Sequence, residues 1–320
     1  NISVVQNCDL AIEHSKGEYI CFIGDDDCLT RDTIDAVGWM KSNNIEVLIS
    51  NKPKYIWPDV TYKNSGDRFS GTLVSNKYSG KFNNMISSRE LIRNLKQGGQ
   101  KIHDLPQLYH NIVKRSVLDK IYKETGTFFP GPSPDMAIAI ALCAYVDNYK
   151  KIDYPLVISG KARGSVGGLG AHGKHVGEIK EISFLPKNTA ETWSKGVPFY
   201  WSGSTIYADS VLKSLISTNN VKFINEFNYN YLYASCYMLD KYNKVRIDEC
   251  VTNNKSANKL LISIYIIKLW INRLKIFIIN RTKGLGKVVF YKNVLTIEQA
   301  VSTIEKQVEN VKKPWSNSND

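Results

Sequence analysis

The first residues set apolar groups at Val4, Val5, Cys8, Ala11 and Ile12, a three-and-four spacing that predicts a helix over 3–15. Lys16-Gly17 ends it. The run Glu18-Tyr-Ile-Cys-Phe-Ile-Gly24 is then apolar without alternation, as expected of a short strand buried on both faces. Three aspartates follow at once: Asp25, Asp26 and Asp27. Thr30 is expected to cap a helix that carries Asp32 in its first turn and runs to about Asn43, and Glu46–Ser50 reads as the next strand. Helix, strand, acidic turn, helix and strand in that order predict an α/β domain with a mostly parallel sheet.

Farther along, residues 51–84 are polar, aromatic and turn-rich, a β-meander or an irregular insertion. Ser88–Leu95 predicts a short helix, Tyr109–Val113 a strand, and the residues through Lys123 another helix. Gly126-Thr-Phe-Phe-Pro-Gly-Pro-Ser-Pro-Asp135 is a rigid turn that opens onto the apolar helix Met136–Val146, with the strand Lys151–Ser159 behind it. Gly160–Gly177 predicts an 18-residue loop with seven glycines and two histidines. The rest is helical in pattern, at about 204–218, 222–240, 256–280 and 296–312. The chain thus divides into a sheet domain over 1–200 and a helical C-terminal region over 201–320.

Composition adds little until charge is considered. With 320 residues, 43% apolar and 22% charged, the chain can bury a full core, and disordered and fibrous classes are excluded. Its net charge is +12. From Asp240 to Asp320 there are 15 basic and 7 acidic residues, so most of the excess lies in the last quarter. Such an excess points to a polyanion: nucleic acid, an anionic membrane or a phosphorylated substrate. No nucleic-acid reading motif accompanies it, which leaves the other two. From Leu260 to Ile279, 15 of 20 residues are apolar, broken by Lys268, Arg273 and Lys275. Those charges oppose a membrane span. Lys268, Asn272 and Lys275 share a helical face, the pattern of a basic amphipathic helix at about 256–280 lying on an anionic membrane surface, or of one packed on the catalytic domain or a partner subunit with its lysines snorkelling. Six scattered cysteines without a C-x-x-C pair favour a reducing compartment.

Three carboxylates at the end of a buried strand repel one another, so they need a cation or a solvated crevice. Hard oxygen ligands at the carboxyl edge of an α/β sheet suit Mg²⁺ or Mn²⁺ on a diphosphate, and a plain solvated acidic turn is the other reading. Asp135, just after Pro134 at a helix start, can serve as a base or merely complement the helix dipole. In the glycine loop, backbone N–H groups with Arg163, Lys174, His172 or His175 can meet a phosphate, although a surface loop is the simpler reading. Trp193 and Phe199-Tyr-Trp201 can stack on a sugar ring or fill a core.

Asn7 followed by Gly17-Glu-Tyr-Ile-Cys-Phe-Ile-Gly-Asp-Asp-Asp-Cys-Leu29 resembles the central signature of family 2 glycosyltransferases of the GT-A fold. The resemblance spans about residues 5–160 and extends loosely to 215. It implies a Rossmann-like mixed, mostly parallel sheet flanked by helices, with the C-terminal helical region as an extension. It also implies a nucleotide-sugar donor, a glycan or lipid-linked acceptor, and Mn²⁺ or Mg²⁺. By the resemblance Asp26 or Asp27 holds the metal, Asp25 or Asp26 faces the nucleotide with Asn7 nearby, and Asp135 is the base. Arg163, and His172 or His175 as a further ligand, complete the donor site. Gly24 stands where the family pattern D-x-D-D often has its first Asp. Neither a Gln-x-x-Arg-Trp motif nor multiple spans is found, so the chain resembles the single-transfer kind, and Pro132-Ser-Pro-Asp135 through the glycine loop, with Phe199-Tyr-Trp-Ser-Gly203, resembles bacterial enzymes of surface-polysaccharide assembly. The implied location is cytoplasmic, at the inner membrane face. The family's first strands are expected to precede residue 1.

Two rivals stand beside this reading. A nucleotidyl- or phosphotransferase would need a lysine-bearing phosphate loop, which is not found. A non-catalytic membrane- or polyanion-binding protein on a degenerate transferase scaffold would have little use for the acidic triplet or Asp135.

Overall fold

A computed structural model describes residues 2–62, 66–102, 104–165, 176–282 and 288–317. Helix α1 (Val4–His14) starts in a capping box between Ser3 and Gln6 and leads to β1 (Tyr19–Cys21). Then come β2 (Cys28–Leu29), α2 (Asp32–Ser42), β3 (Val47–Ser50), β4 (Lys54–Ile56), β5 (Thr72–Asn76), β6 (Phe82–Ile86) and α3 (Ser87–Leu95). The middle of the chain gives β7 (Ile112–Lys114), α4 (Arg115–Thr125), α5 (Pro134–Tyr145), β8 (Asn148–Ile152) and β9 (Val157–Lys161).

Two five-stranded sheets result, and two chain segments run through both. The first sheet has the order β1-β7-β3-β8-β6; the second places β5, β4, β9 and β2 side by side after an outer strand at Val288–Tyr291. β3 passes into β4 across Asn51–Pro53, and β8 into β9 across Asp153–Leu156; β3 is parallel to β8, and β4 to β9. The two bends are tied together, since the Asn51 amide donates to Asp153 Oδ1 at 2.6 Å.

The fold is α/β with mixed sheets flanked by helices. The expected mostly parallel arrangement is corrected: β1–β7, β3–β7, β6–β8, β4–β5 and β2–β9 all pair antiparallel. The physical reason is that a strand buried on both faces is apolar throughout in either direction, so hydrophobic pattern carries no sense of direction.

Alternation within the central strands makes three layers. Val47, Ile49 and Val113 face α1, α4 and α5, while Leu48 and Ile112 face α2 and the C-terminal residues Val308 and Trp315. Helix α5 is apolar all round because it packs on two sides. Ile138, Ala141 and Leu142 meet the sheet; Met136, Ala139 and Ile140 meet a separate helical cluster. That cluster is built from helices at Gly203–Ser217, Tyr229–Leu239 and Lys244–Asn253.

Some local expectations change. Thr30 does not cap α2 with its side chain; its hydroxyl donates to the Pro155 carbonyl at 3.1 Å, tying the start of α2 to the β8–β9 bend. Ser133 holds the N-cap position of α5 without a side-chain cap bond, and its N–H donates to Ser210 Oγ. The two ends of the predicted 18-residue glycine loop are strand instead, because Gly160 and Lys161 belong to β9 and Val176–Gly177 pairs with Trp201–Ser202; residues 166–175 lie outside the described residues. After the helix Lys259–Thr282 the chain returns to the sheet. Val288–Tyr291 pairs antiparallel with β5, and the helix Ile297–Val308 covers Tyr55, Leu73 and Ile158 with Ala300 and Ile304.

Candidate functional site

The acidic turn is clamped from three sides. Asp27 is the innermost of the three: its Oδ2 accepts from the Gly24 N–H at 2.6 Å and from His110 Nε2 at 2.7 Å, and its Oδ1 accepts from the Gly160 N–H at 2.8 Å. Asp26 Oδ2 accepts from the Ala162 N–H at 2.9 Å, and its backbone carbonyl accepts from the Trp57 indole at 3.0 Å. Asp25 is exposed. The strand end of β9 therefore shapes the turn, and Arg163, exposed, follows immediately after Ala162.

Gly160 shows how close the two segments lie. A Cβ on Gly160 would fall 1.7 Å from the Asp26 carbonyl oxygen, which no rearrangement of side chains can relieve. Gly160→Ala is expected to push the acidic turn off β9 at a cost of about 1–3 kcal/mol. A lowered thermal midpoint in calorimetry checks it, and an unchanged midpoint counts against the contact.

His110 occupies a left-handed backbone conformation, φ 61°, which its neighbours hold in place. Asn111 Oδ1 accepts from the Ser50 N–H at 2.9 Å while its amide donates to the Tyr109 carbonyl at 2.8 Å, and the His110 N–H donates to the Phe22 carbonyl at 2.8 Å. The imidazole bridges Asp27 and Lys52, whose Nζ lies 2.9 Å from Nδ1. Burial alone would raise the Asp27 carboxyl. The His110 bond and charge, with the Gly24 and Gly160 N–H groups, hold it below the ordinary value. Burial pushes the Lys52 ammonium down, while Asp135 and Asp27 pull it back.

Asp135 enters the same site from the first turn of α5. Burial raises its carboxyl above the ordinary value, His110 and Lys52 pull it back, and Asp27 adds to the rise. Between the two acidic elements stands Tyr109. Burial raises its hydroxyl's pKa, and Asp135, Asp27 and Asp26 each reinforce the shift. Cys8, next to Asn7 on α1, also feels Asp135; burial first, then Asp135 and Asp9, push its thiol up to about 12, which makes it a poor nucleophile. Asn7 itself is exposed.

The fold thus brings together Asp25, Asp26, Asp27 and Asp135, and sets Arg163 at their edge. His172 and His175 lie outside the described residues. As for a divalent ion, Asp27 accepts donors on both oxygens, whereas Asp26 accepts the Ala162 N–H on Oδ2. A point over Gly24 where a Cβ would sit is 3.0 Å from Asp26 Oδ1 and 3.2 Å from both Asp27 Oδ2 and the Tyr109 hydroxyl, an oxygen-lined cradle that a larger residue would crowd. The oxygens of Asp26 and Asp27 around this point are of the hard type that suits a divalent cation. Among the described residues no three His, Cys, Asp or Glu side chains are already gathered as a metal shell.

Lys52, Tyr109, His110 and Gly160 were not marked as site residues by the sequence. One signal was available: His110-Asn111 is a polar pair inside an otherwise apolar segment, and a polar pair there needs partners. Among known proteins, the chain matches no family model and no curated protein.

Proposed function

We propose that the protein is a metal-dependent, inverting glycosyltransferase of the family 2 type, moving a sugar from a nucleoside-diphosphate donor to a hydroxyl of a glycan or lipid-linked acceptor in cell-surface polysaccharide assembly. The observation that carries this reading is the meeting of a strand-end acidic turn with a buried, helix-initial carboxylate around Tyr109, His110 and Lys52.

Asp26, with Asp27 beside it, would hold Mn²⁺ or Mg²⁺, which when bound supplies Lewis-acid stabilisation to a departing diphosphate, while Asp25 would face the nucleotide. Asp27 keeps the turn in shape through its three donors. Arg163 would offer the diphosphate a second positive charge, and Asn7 would meet the nucleotide. Asp135 accepts the proton of the acceptor hydroxyl as that oxygen bonds to the anomeric carbon. The bond from that carbon to the diphosphate oxygen breaks, and its electron pair leaves on the diphosphate. Burial strengthens Asp135 as a base, and His110 and Lys52 limit the rise.

The test is release of nucleoside diphosphate from a panel of sugar nucleotides, with Mn²⁺, with Mg²⁺ and with chelator. Turnover should require a divalent ion, and Asp26→Ala should lower it by about 100-fold or more. Turnover indifferent to both chelator and Asp26→Ala would overturn the reading.

A further inference from the structure

The helix Lys259–Thr282 has two apolar stripes, and only one is used by the body of the protein. Ile262 is buried in the helical cluster, with Tyr265, Ile266 and Leu269 packed beside it, and the Asn228 amide donates to the Tyr265 hydroxyl at 3.0 Å. At 100° per residue these four share one side. Leu260, Ile264, Ile267, Ile271 and Leu274 repeat at four and three residues on the opposite side, and they are 37–71% exposed. Lys268 and Lys275 lie along one flank of that outer stripe and Trp270 along the other. Arg273 sits over the Trp270 ring at 5.7 Å, and Lys268 over Tyr265 at 5.6 Å.

A seam of this spacing fits either a second helix of the same kind or a lipid surface. Charge decides between them. Between Glu249 and Glu298 there is no acidic residue and there are nine Lys or Arg. Two copies laid together along this helix would concentrate positive charge with nothing to neutralise it, whereas an anionic bilayer supplies the missing negative charge. No helix among the described residues is long and apolar enough to cross a membrane.

We propose that this helix lies in the surface of an anionic lipid bilayer, its Leu260–Leu274 stripe facing the acyl region, its flanking lysines among the head groups, and its Ile262–Leu269 side holding the body of the protein above. Trp270 sits at the boundary between the two, where an amphipathic ring is favoured. The inference is independent of the transferase reading, because it rests on the helix alone and is read without turnover.

Co-sedimentation of the whole protein with vesicles tests it. Vesicles of phosphatidylcholine with phosphatidylglycerol should bind about tenfold or more tightly than phosphatidylcholine alone, and raised salt should weaken that binding. Ile271→Glu with Leu274→Glu should abolish it, and Lys268→Gln with Lys275→Gln should remove the preference for anionic lipid. All four positions are exposed, so circular dichroism and the thermal midpoint should stay unchanged. If a variant fails to fold, the comparison of the two vesicle types with the unaltered protein still decides. Equal binding to both lipids, binding to neither, or a lipid-free dimer in analytical ultracentrifugation that Ile271→Glu with Leu274→Glu dissolves would each overturn the proposal.

Discussion

Asp135→Asn is expected to lower sugar transfer by about 10²–10⁴-fold while leaving the protein folded and more resistant to heat at neutral pH. The two effects have one cause. Burial raises the Asp135 carboxyl above its ordinary value, because the folded state disfavours an anion that water would solvate better. A raised acidic group favours folding below its ordinary value, and that contribution is lost as pH rises through the folded value. Above its ordinary value the carboxyl is therefore a net burden, which the isosteric amide removes. The same shift places the acid limb of the pH–rate profile above the ordinary carboxylate range, since transfer needs the ionised form. Lys52→Met should move that limb further up by removing a cation that pulls Asp135 back. Initial rates across pH, with calorimetry on Asp135→Asn, check both parts. A variant that keeps its rate, or loses rate and stability together, would reduce Asp135 to a structural residue of α5.

The acidic turn and Asp135 were legible in the sequence for a physical reason. Like charges at the end of an apolar strand, and a carboxylate after Pro134 at a helix start, violate ordinary burial rules, and such violations stand out in one dimension. What joins them was not legible. Lys52 lies in a strand bend and His110 beside Tyr109, 58 residues apart, and only the fold makes them a pair. Gly160 read as the first residue of a flexible loop, although its role is the close approach of β9 to Asp26. Strand direction was lost for a different reason: β1, β3 and β7 are buried on both faces, and their residues pack equally well in either sense. The C-terminal strand Val288–Tyr291 follows a basic, helical stretch, and its pairing with β5 is a contact across more than two hundred residues that no local pattern encodes.

Replacing Asp27 by Ala is expected to cost about 3–5 kcal/mol of stability. Its side chain is 3% exposed and that of His110 is 11%, so the Lys52–His110 pair would be left in a poorly solvated place with Asp135 as its remaining counter-charge. The Gly24 and Gly160 N–H groups would lose their acceptor as well. The loss should depend on pH with a definite sign. The Asp27 carboxyl is held below its ordinary value in the folded state, so its contribution is complete above that ordinary value and fades as pH falls through the lower, folded one. Denaturant titrations of the unaltered protein and Asp27→Asn should differ most near neutrality and converge in strong acid. Lys52→Met provides the discriminating arm. If the ammonium, imidazole and carboxylate act as one buried chain, Asp27→Asn with Lys52→Met is less destabilised than the two single changes summed, because neither leaves a lone charge behind. Strict additivity would show instead that Asp27 serves the fold only as an acceptor for the two glycine N–H groups. The turn would then hold its shape without the cation beneath it.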